Sequence, residues 1–161
     1  MVQLIPVKED NKEVLRHLYQ LYHYDFSAYT EEDVNSSGLY EFNIEHYWRD
    51  SRWNPYLIYD ENRIVGFLVV LFENYDVDPD PTHVIYDFMI LRKYRRKGYG
   101  REAAVTAFNL HRANWKVVQM SSNEPAIQFW RDVVREYTSD RYTEVFRQDL
   151  DKWIQSFSTK V

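Results

Sequence analysis

The chain has 161 residues, 45% of them apolar and 17% aromatic, with a net charge of −5. That length suits one domain, spanning 1–161, with a core of its own. The absence of cysteine excludes disulfides, a thiolate nucleophile and thiolate zinc sites.

Met1 to Asn11 shows no long apolar segment with a cleavage site, as a signal peptide would. No run approaches the roughly 20 apolar residues that cross a bilayer. The expectation is a cytoplasmic enzyme or binding module with no membrane partner.

In chain order, Val2 to Val7 reads as a short strand, with Pro6 suited to a strand end. From Glu9 the period changes. Val14, Leu15, Leu18, Leu21, Tyr22 and Phe26 recur at helical steps. Asn35 to Gly38 is loop chemistry, and Asn43 is placed to cap a short second helix carrying Ile44, Tyr47 and Trp48. Tyr56 to Asp60 and Arg63 to Phe72 flank a tight turn and read as a hairpin. Asn74 to Thr82, with Asp76, Asp78 and Asp80, reads as a loop, and His83 to Leu91 as a strand. A basic loop precedes a helix over Gly100 to Ala113. Trp115 to Met120 reads as a strand and Asn123 opens a further helix. Tyr142 to Phe146 and Trp153 to Phe157 form a closing hairpin. The order β-α-α-β-β-β-α-β-α-β-β predicts an α/β fold of α+β type. Its central sheet is mixed and partly parallel, with about seven strands and about four helices.

Charge is unevenly spread. Arg92 to Arg101 holds six bases and no acid, whereas Tyr24 to Asp50 holds seven acids and one base. The first segment suits an anion and the second a cation; each also fits an ordinary solvated face.

The basic segment leads into Gly98-Tyr99-Gly100 at a helix start. Glycine lets backbone N–H groups approach a ligand, and a helix start adds unpaired donors and partial positive charge. Together these make a cradle for a pyrophosphate. Gly98-x-Gly100-x-x-Ala103 also fits a dinucleotide fingerprint, but Arg92 to Lys97 separate it from the strand, where that fingerprint follows directly. Nucleic-acid binding fits poorly with the net negative charge and the lack of a recognised motif.

Arg95-x-x-Gly98-x-Gly100 resembles the acyl-CoA signature of the GNAT superfamily of N-acetyltransferases. Asn123-x-x-Ala126-x-x-Phe129-Trp130 resembles the second family element. The order of elements agrees over nearly the whole chain. The resemblance implies an acetyl-CoA-dependent N-acetyltransferase that uses no metal. The strand edge at Ile90 and Leu91 is then expected to pair with pantetheine. Arg95, Arg96, Lys97, Gly98, Tyr99, Gly100 and Arg101 are expected to hold the pyrophosphate. Asn123 would contact the pantetheine region, and the fourth and fifth strands would splay apart around it. Where the family often places a tyrosine acid, this chain has Trp130. An indole shapes a pocket but is no useful acid. Tyr137, Tyr142 or water remain as sources of that proton.

The implied reaction is direct attack by a neutral primary amine on the thioester. It needs no enzyme nucleophile. Asp87, the only acid in the apolar run from Val84 to Leu91, is the candidate base, because burial raises a carboxyl pKa; a solvent-facing or locally satisfied carboxylate is the alternative. By the same resemblance the acceptor binds among the acid-rich segments, joined by Glu73, Asp76, Asp78 and Asp80, which suits a cationic amine. His23 and His46 fall in that region without metal-ligand spacing. A non-catalytic acyl-CoA-binding regulatory module is the alternative function. Acceptor identity and oligomeric state, a homodimer included, stay open.

Overall fold

The computed structural model describes residues 1–74 and 82–160, without the side chains of residues 73 and 74. The expected acidic loop with Asp76, Asp78 and Asp80, and the Glu73 side chain, lie outside the described residues.

A strand β1 (Val2–Pro6) leads through a 3-10 turn (Glu9–Asn11) into helix α1 (Lys12–Thr30). Leu15, Leu18 and Tyr19 form its buried stripe. The helix stops at Glu31, which takes a left-handed backbone (φ 59°) and returns its N–H to Ser27. The expected second helix is one 3-10 turn, Glu45–Trp48. Asn43 does accept the Glu45 amide (3.0 Å). The chain then turns at Asp50, whose carboxylate accepts the Arg52 amide (3.0 Å). That turn aims it into β2 (Trp53–Asp60), so no second α-helical turn forms. The described α-helices are therefore three rather than about four.

β2 turns into β3 (Arg63–Asn74), and β4 (Thr82–Ile90) follows. Helix α2 (Tyr99–Leu110), β5 (Asn114–Met120) and α3 (Glu124–Thr138) come next. The chain closes with β6 (Thr143–Arg147) and β7 (Lys152–Ser158). The strands form one seven-stranded sheet, ordered β1-β2-β3-β4-β5-β7-β6. Among the described residues, only β4 and β5 pair in parallel.

Both faces of the sheet are covered. Leu68, Val70, Trp115 and Val117 pack with Ala103, Ala107 and Phe108 of α2 and Trp130 and Val134 of α3. Leu57, Phe67 and Val69 pack on the opposite side with Leu15, Leu18 and Tyr19 of α1 and with Tyr47. Period-2 alternation sends neighbours in β3 to opposite faces, so its apolar run is continuous. Burying each such side chain fully stabilises the fold by about 1.5–3 kcal/mol.

Candidate active site

β4 and β5 pair only at His83–Trp115 and Val84–Lys116. Beyond those pairs the strands run on without a ladder between them. A bulge explains the parting. Val69 and Val70 are consecutive on β3, yet their β4 partners are Asp87 and Ile85, leaving Tyr86 as an extra residue. Such a bulge bends its strand and increases its twist. It also reverses the side-chain phase. Ile85 packs with the α2–α3 cluster, whereas Asp87 reaches tyrosines of α1.

At the end of β4 the Leu91 N–H donates to the Val65 carbonyl (2.8 Å). Leu91 thus faces β3. Antiparallel alternation turns the backbone groups of Ile90 and Phe88 the other way, into the gap. The Ile90 carbonyl already accepts a bond from Arg95 Nε (2.7 Å).

The turn into α2 is built for exposed amides. Arg96 (φ 61°) and Gly98 (φ 87°) both take left-handed backbone. For a residue with a Cβ this costs roughly 1–2 kcal/mol, a cost glycine escapes. Gly98 is the residue before the helix, and no side chain caps it. The first intrahelical bond runs from Glu102 N–H to the Gly98 carbonyl (3.0 Å). The Tyr99, Gly100 and Arg101 amides precede it and carry the positive end of the helix dipole. A methyl on Gly98 would meet nothing within 4 Å. One on Gly100 would lie 3.3 Å from the Phe129 ring.

The basic side chains divide into two groups. Arg95 forks onto Asp25 of α1 (3.3 and 3.0 Å), and Arg92 approaches the same carboxylate (3.5 Å). Arg101 pairs with Glu136 of α3. Tyr99 turns away and donates to Asp60 (2.6 Å). Arg96 and Lys97 are exposed and make no ion pair among the described residues. Three helix-start amides and these two bases are thus the groups at this turn left without a partner that neutralises them among the described residues. Arg95 ties the turn to β4 and α1.

Asp87 sits in a cluster of phenols. Its Oδ2 accepts from Tyr19 (2.6 Å), its Oδ1 from Tyr22 (2.9 Å), and Tyr47 stands 3.5 Å from Oδ2. The Tyr19 and Tyr47 hydroxyls also bond to each other (2.7 Å). Since Tyr19 donates to the carboxylate, Tyr47 donates to Tyr19. Burial pushes the Asp87 carboxyl above the usual carboxylate range, against the Tyr19 and Tyr22 hydrogen bonds, which favour the charged form. Burial raises Tyr19 and Tyr22 well above the ordinary phenol value, and the Asp87 charge adds to it. Tyr47 rises for the same two reasons.

Tyr19, Tyr22 and Tyr47 are the partners of Asp87 that sequence reasoning missed, because the helical period marked Tyr22 and Tyr47 simply as packing positions. Their signal was chemical: a phenol on a buried helix stripe needs a polar partner.

The second motif lies beside the gap. Asn123 Oδ1 accepts the Ala126 amide (3.2 Å) and so caps α3. Trp130 is buried with Phe88 and Phe129, at ring distances of 5.4 and 5.0 Å. Tyr137 lies two turns further along α3, about 10 Å at 1.5 Å per residue. Its hydroxyl donates to Asn109 (2.8 Å), so it is not a replacement acid beside Trp130. Tyr142 packs against the core of the α2–α3 face.

Much of the acidic stretch is internally neutralised. Asp25 pairs with Arg95, Glu45 with Lys12 and Arg16, and Asp50 with Arg52. Glu32 bonds His23 (2.8 Å), whose ring stacks on Phe42 (5.1 Å). His46 packs edge-on to Tyr47 and Trp53. Among the described residues, no group of three or more His, Cys, Asp or Glu is gathered as a metal site, and no helix is long and apolar enough to cross a membrane.

The family model for the acetyltransferase (GNAT) family matches residues 14–133. Among solved structures, an acetyltransferase from Thermus thermophilus superposes with a TM-score of 0.66 at 16% identity, covering 98% of this chain and 97% of its own. A Bacillus subtilis acetyltransferase in complex with CoA gives 0.58 at 12% identity, covering 98% and 99%. An aminoglycoside acetyltransferase from an uncultured soil metagenomic sample gives 0.56 at 21%, covering 82% and 86%. No curated protein matches the chain.

Proposed function

The chain belongs to the acetyltransferase (GNAT) family, and from that premise we propose that it transfers an acetyl group from acetyl-CoA to a primary amine. The observation that carries this reading is the juxtaposition along β4. The strand parts from β5 immediately after Val84, and the α2 turn follows at its end. A caged carboxyl lies on the opposite face.

Each part has a task. The Tyr99 to Arg101 amides, with Arg96 and Lys97, bind the pyrophosphate. The open gap receives the pantetheine arm against the Ile90 and Phe88 backbone. The neutral amine attacks the thioester carbonyl. The C–N bond forms and the C–S bond breaks. A backbone N–H facing the developing oxyanion supplies roughly 3–4 kcal/mol. Asp87, with its raised pKa, takes the amine proton. Coenzyme A leaves as thiolate, since a thiol pKa near about 8.5 makes it a good leaving group without help from Trp130.

The acceptor is less polycationic than the sequence alone suggests. Of the acids between Tyr24 and Asp50, only Glu31 and Asp33 are exposed with carboxylates that have no ion-pair or hydrogen-bond partner among the described residues. The rings around Asp87 favour an amine with an apolar body.

The test is thermal stability with acetyl-CoA, with NAD and without ligand, followed by thiol release with a panel of primary amines. Ligand at about 100 times its dissociation constant adds roughly 2.7 kcal/mol. A shift with acetyl-CoA alone, followed by turnover, establishes the reading. A shift with no turnover of any amine favours a non-catalytic acyl-CoA-binding module, the reading that Trp130 at the acid position supports.

A further inference from the structure

Neither oxygen of Asp87 is bare. Tyr22 covers Oδ1, and Tyr19 with Tyr47 covers Oδ2. An incoming amine therefore meets phenol hydroxyls in front of the carboxylate. The three phenols differ in access. Tyr19 is 2% exposed and Tyr47 5%, so both belong to the core. Tyr22 is only half-buried, at the margin of this cluster between Phe26 and Phe67.

We propose that Tyr22 relays the proton from the acceptor amine to Asp87. The inference rests on the reading above, in which Asp87 is the base. As the C–N bond forms, the nitrogen becomes cationic. Its proton passes to a lone pair of Tyr22 Oη while the phenol proton moves to Asp87 Oδ1, 2.9 Å away. Tyr22 ends neutral, Asp87 ends protonated, and the acetyl group ends on a neutral amide. The proton later returns through Tyr22 to solvent, and the thiolate leaves unassisted. Tyr22 cannot replace Asp87 as the base, because a phenolate there would face the Asp87 carboxylate directly. Tyr19 and Tyr47 position the acceptor oxygen: their chain of two hydrogen bonds fixes Oδ2 and leaves Oδ1 for transfer.

Besides burial, the groups that bear on the Asp87 charge are Tyr19, Tyr22 and His23 from α1 and Tyr47 from the 3-10 turn; Tyr86 on β4 bears on Tyr22 and Tyr47. Val69 opposite on β3 contributes none.

The experiment follows thiol release from acetyl-CoA with primary amines across the neutral pH range, for the whole chain and for Tyr22→Phe, Tyr19→Phe and Asp87→Asn. Melting with and without acetyl-CoA confirms that each variant folds and binds the donor. Tyr22→Phe is expected to lower kcat about a hundredfold at unchanged KM for amine and donor. Tyr19→Phe is expected to move the acid limb to higher pH, since a donor that favours the charged carboxylate is lost. Single-turnover proton inventories on the unaltered protein in mixtures of light and heavy water should curve, reporting two protons in flight. A full plateau for Tyr22→Phe with a deficient Asp87→Asn overturns the relay and leaves the base. A raised KM with normal kcat in Tyr22→Phe, or a linear inventory, also overturns it. Full activity in Asp87→Asn, or no turnover of any amine, removes the reading beneath it.

Discussion

Gly66 lies directly under the Met89 carbonyl: a methyl group on its Cα would sit 2.1 Å from that oxygen. The contact fixes how closely β3 supports the last residues of β4, where Ile90 turns its backbone toward the gap. Gly66→Ala has no flexible side chain to displace, only backbone, so β4 must shift. The expected result is a loss of about 1–3 kcal/mol in stability and weaker acetyl-CoA binding. Thermal melting and donor titration check both. Unchanged melting would show that β3 yields instead.

Arg95 joins three elements, with Nε on the Ile90 carbonyl and its fork on Asp25. A lysine carries the charge but not the planar fork. Arg95→Lys should therefore weaken acetyl-CoA binding nearly as much as Arg95→Ala. If the residue acted on phosphate by charge alone, Arg95→Lys would keep most of the affinity. The donor dissociation constants of the two variants decide between these.

Asp87 gives stability a pH dependence of definite sign. Its folded pKa lies above its unfolded value. Its contribution is thus present in full below the unfolded value, near pH 3.9, and is lost as pH rises through the folded one. Relative to Asp87→Asn, the unaltered protein should gain stability as the pH is lowered through that window. Denaturant titrations of both proteins at several pH values measure the difference. A constant difference would mean that the carboxyl is not perturbed.

Asn123 caps α3 with its side-chain oxygen. Asn123→Ala should cost about 1 kcal/mol, and Asn123→Ser or Asn123→Asp much less. Comparing donor affinity in Asn123→Ser and Asn123→Ala separates capping from ligand contact. Equal weakening in both marks the amide group itself as the ligand contact.

The sequence showed the α2 turn and the α3 start because their signals are local. Two glycines, a run of bases and an Asn ahead of a helical period are each read within a few residues. The phenol cage was not legible in this way. It needs Tyr19, Tyr22 and Tyr47 to meet a residue up to 68 positions away, and only the packed sheet brings them together. The Arg95–Asp25 fork spans 70 positions, so the basic loop read as an anion site with no sign that Arg95 is tied to α1. The second helix was shortened by a competing local bond, the Asp50 turn. Tyr86 gave no sign of a bulge, because the residues around it are too uniformly apolar to show a break in alternation.

That extra residue divides β4 into two half-strands of opposite phase. Upstream of Tyr86 the strand is bound to β5 and its packing; downstream it carries Asp87 and the free edge. Deleting Tyr86 would restore simple alternation, with Asp87 still opposite Val69 on the α1 face and Ile85 still opposite Val70, but would remove the extra residue that bends the strand away from β5. The chemistry of this chain thus depends on residue count as well as residue identity: one inserted residue bends the strand beside the gap without changing which side of the sheet carries the carboxyl.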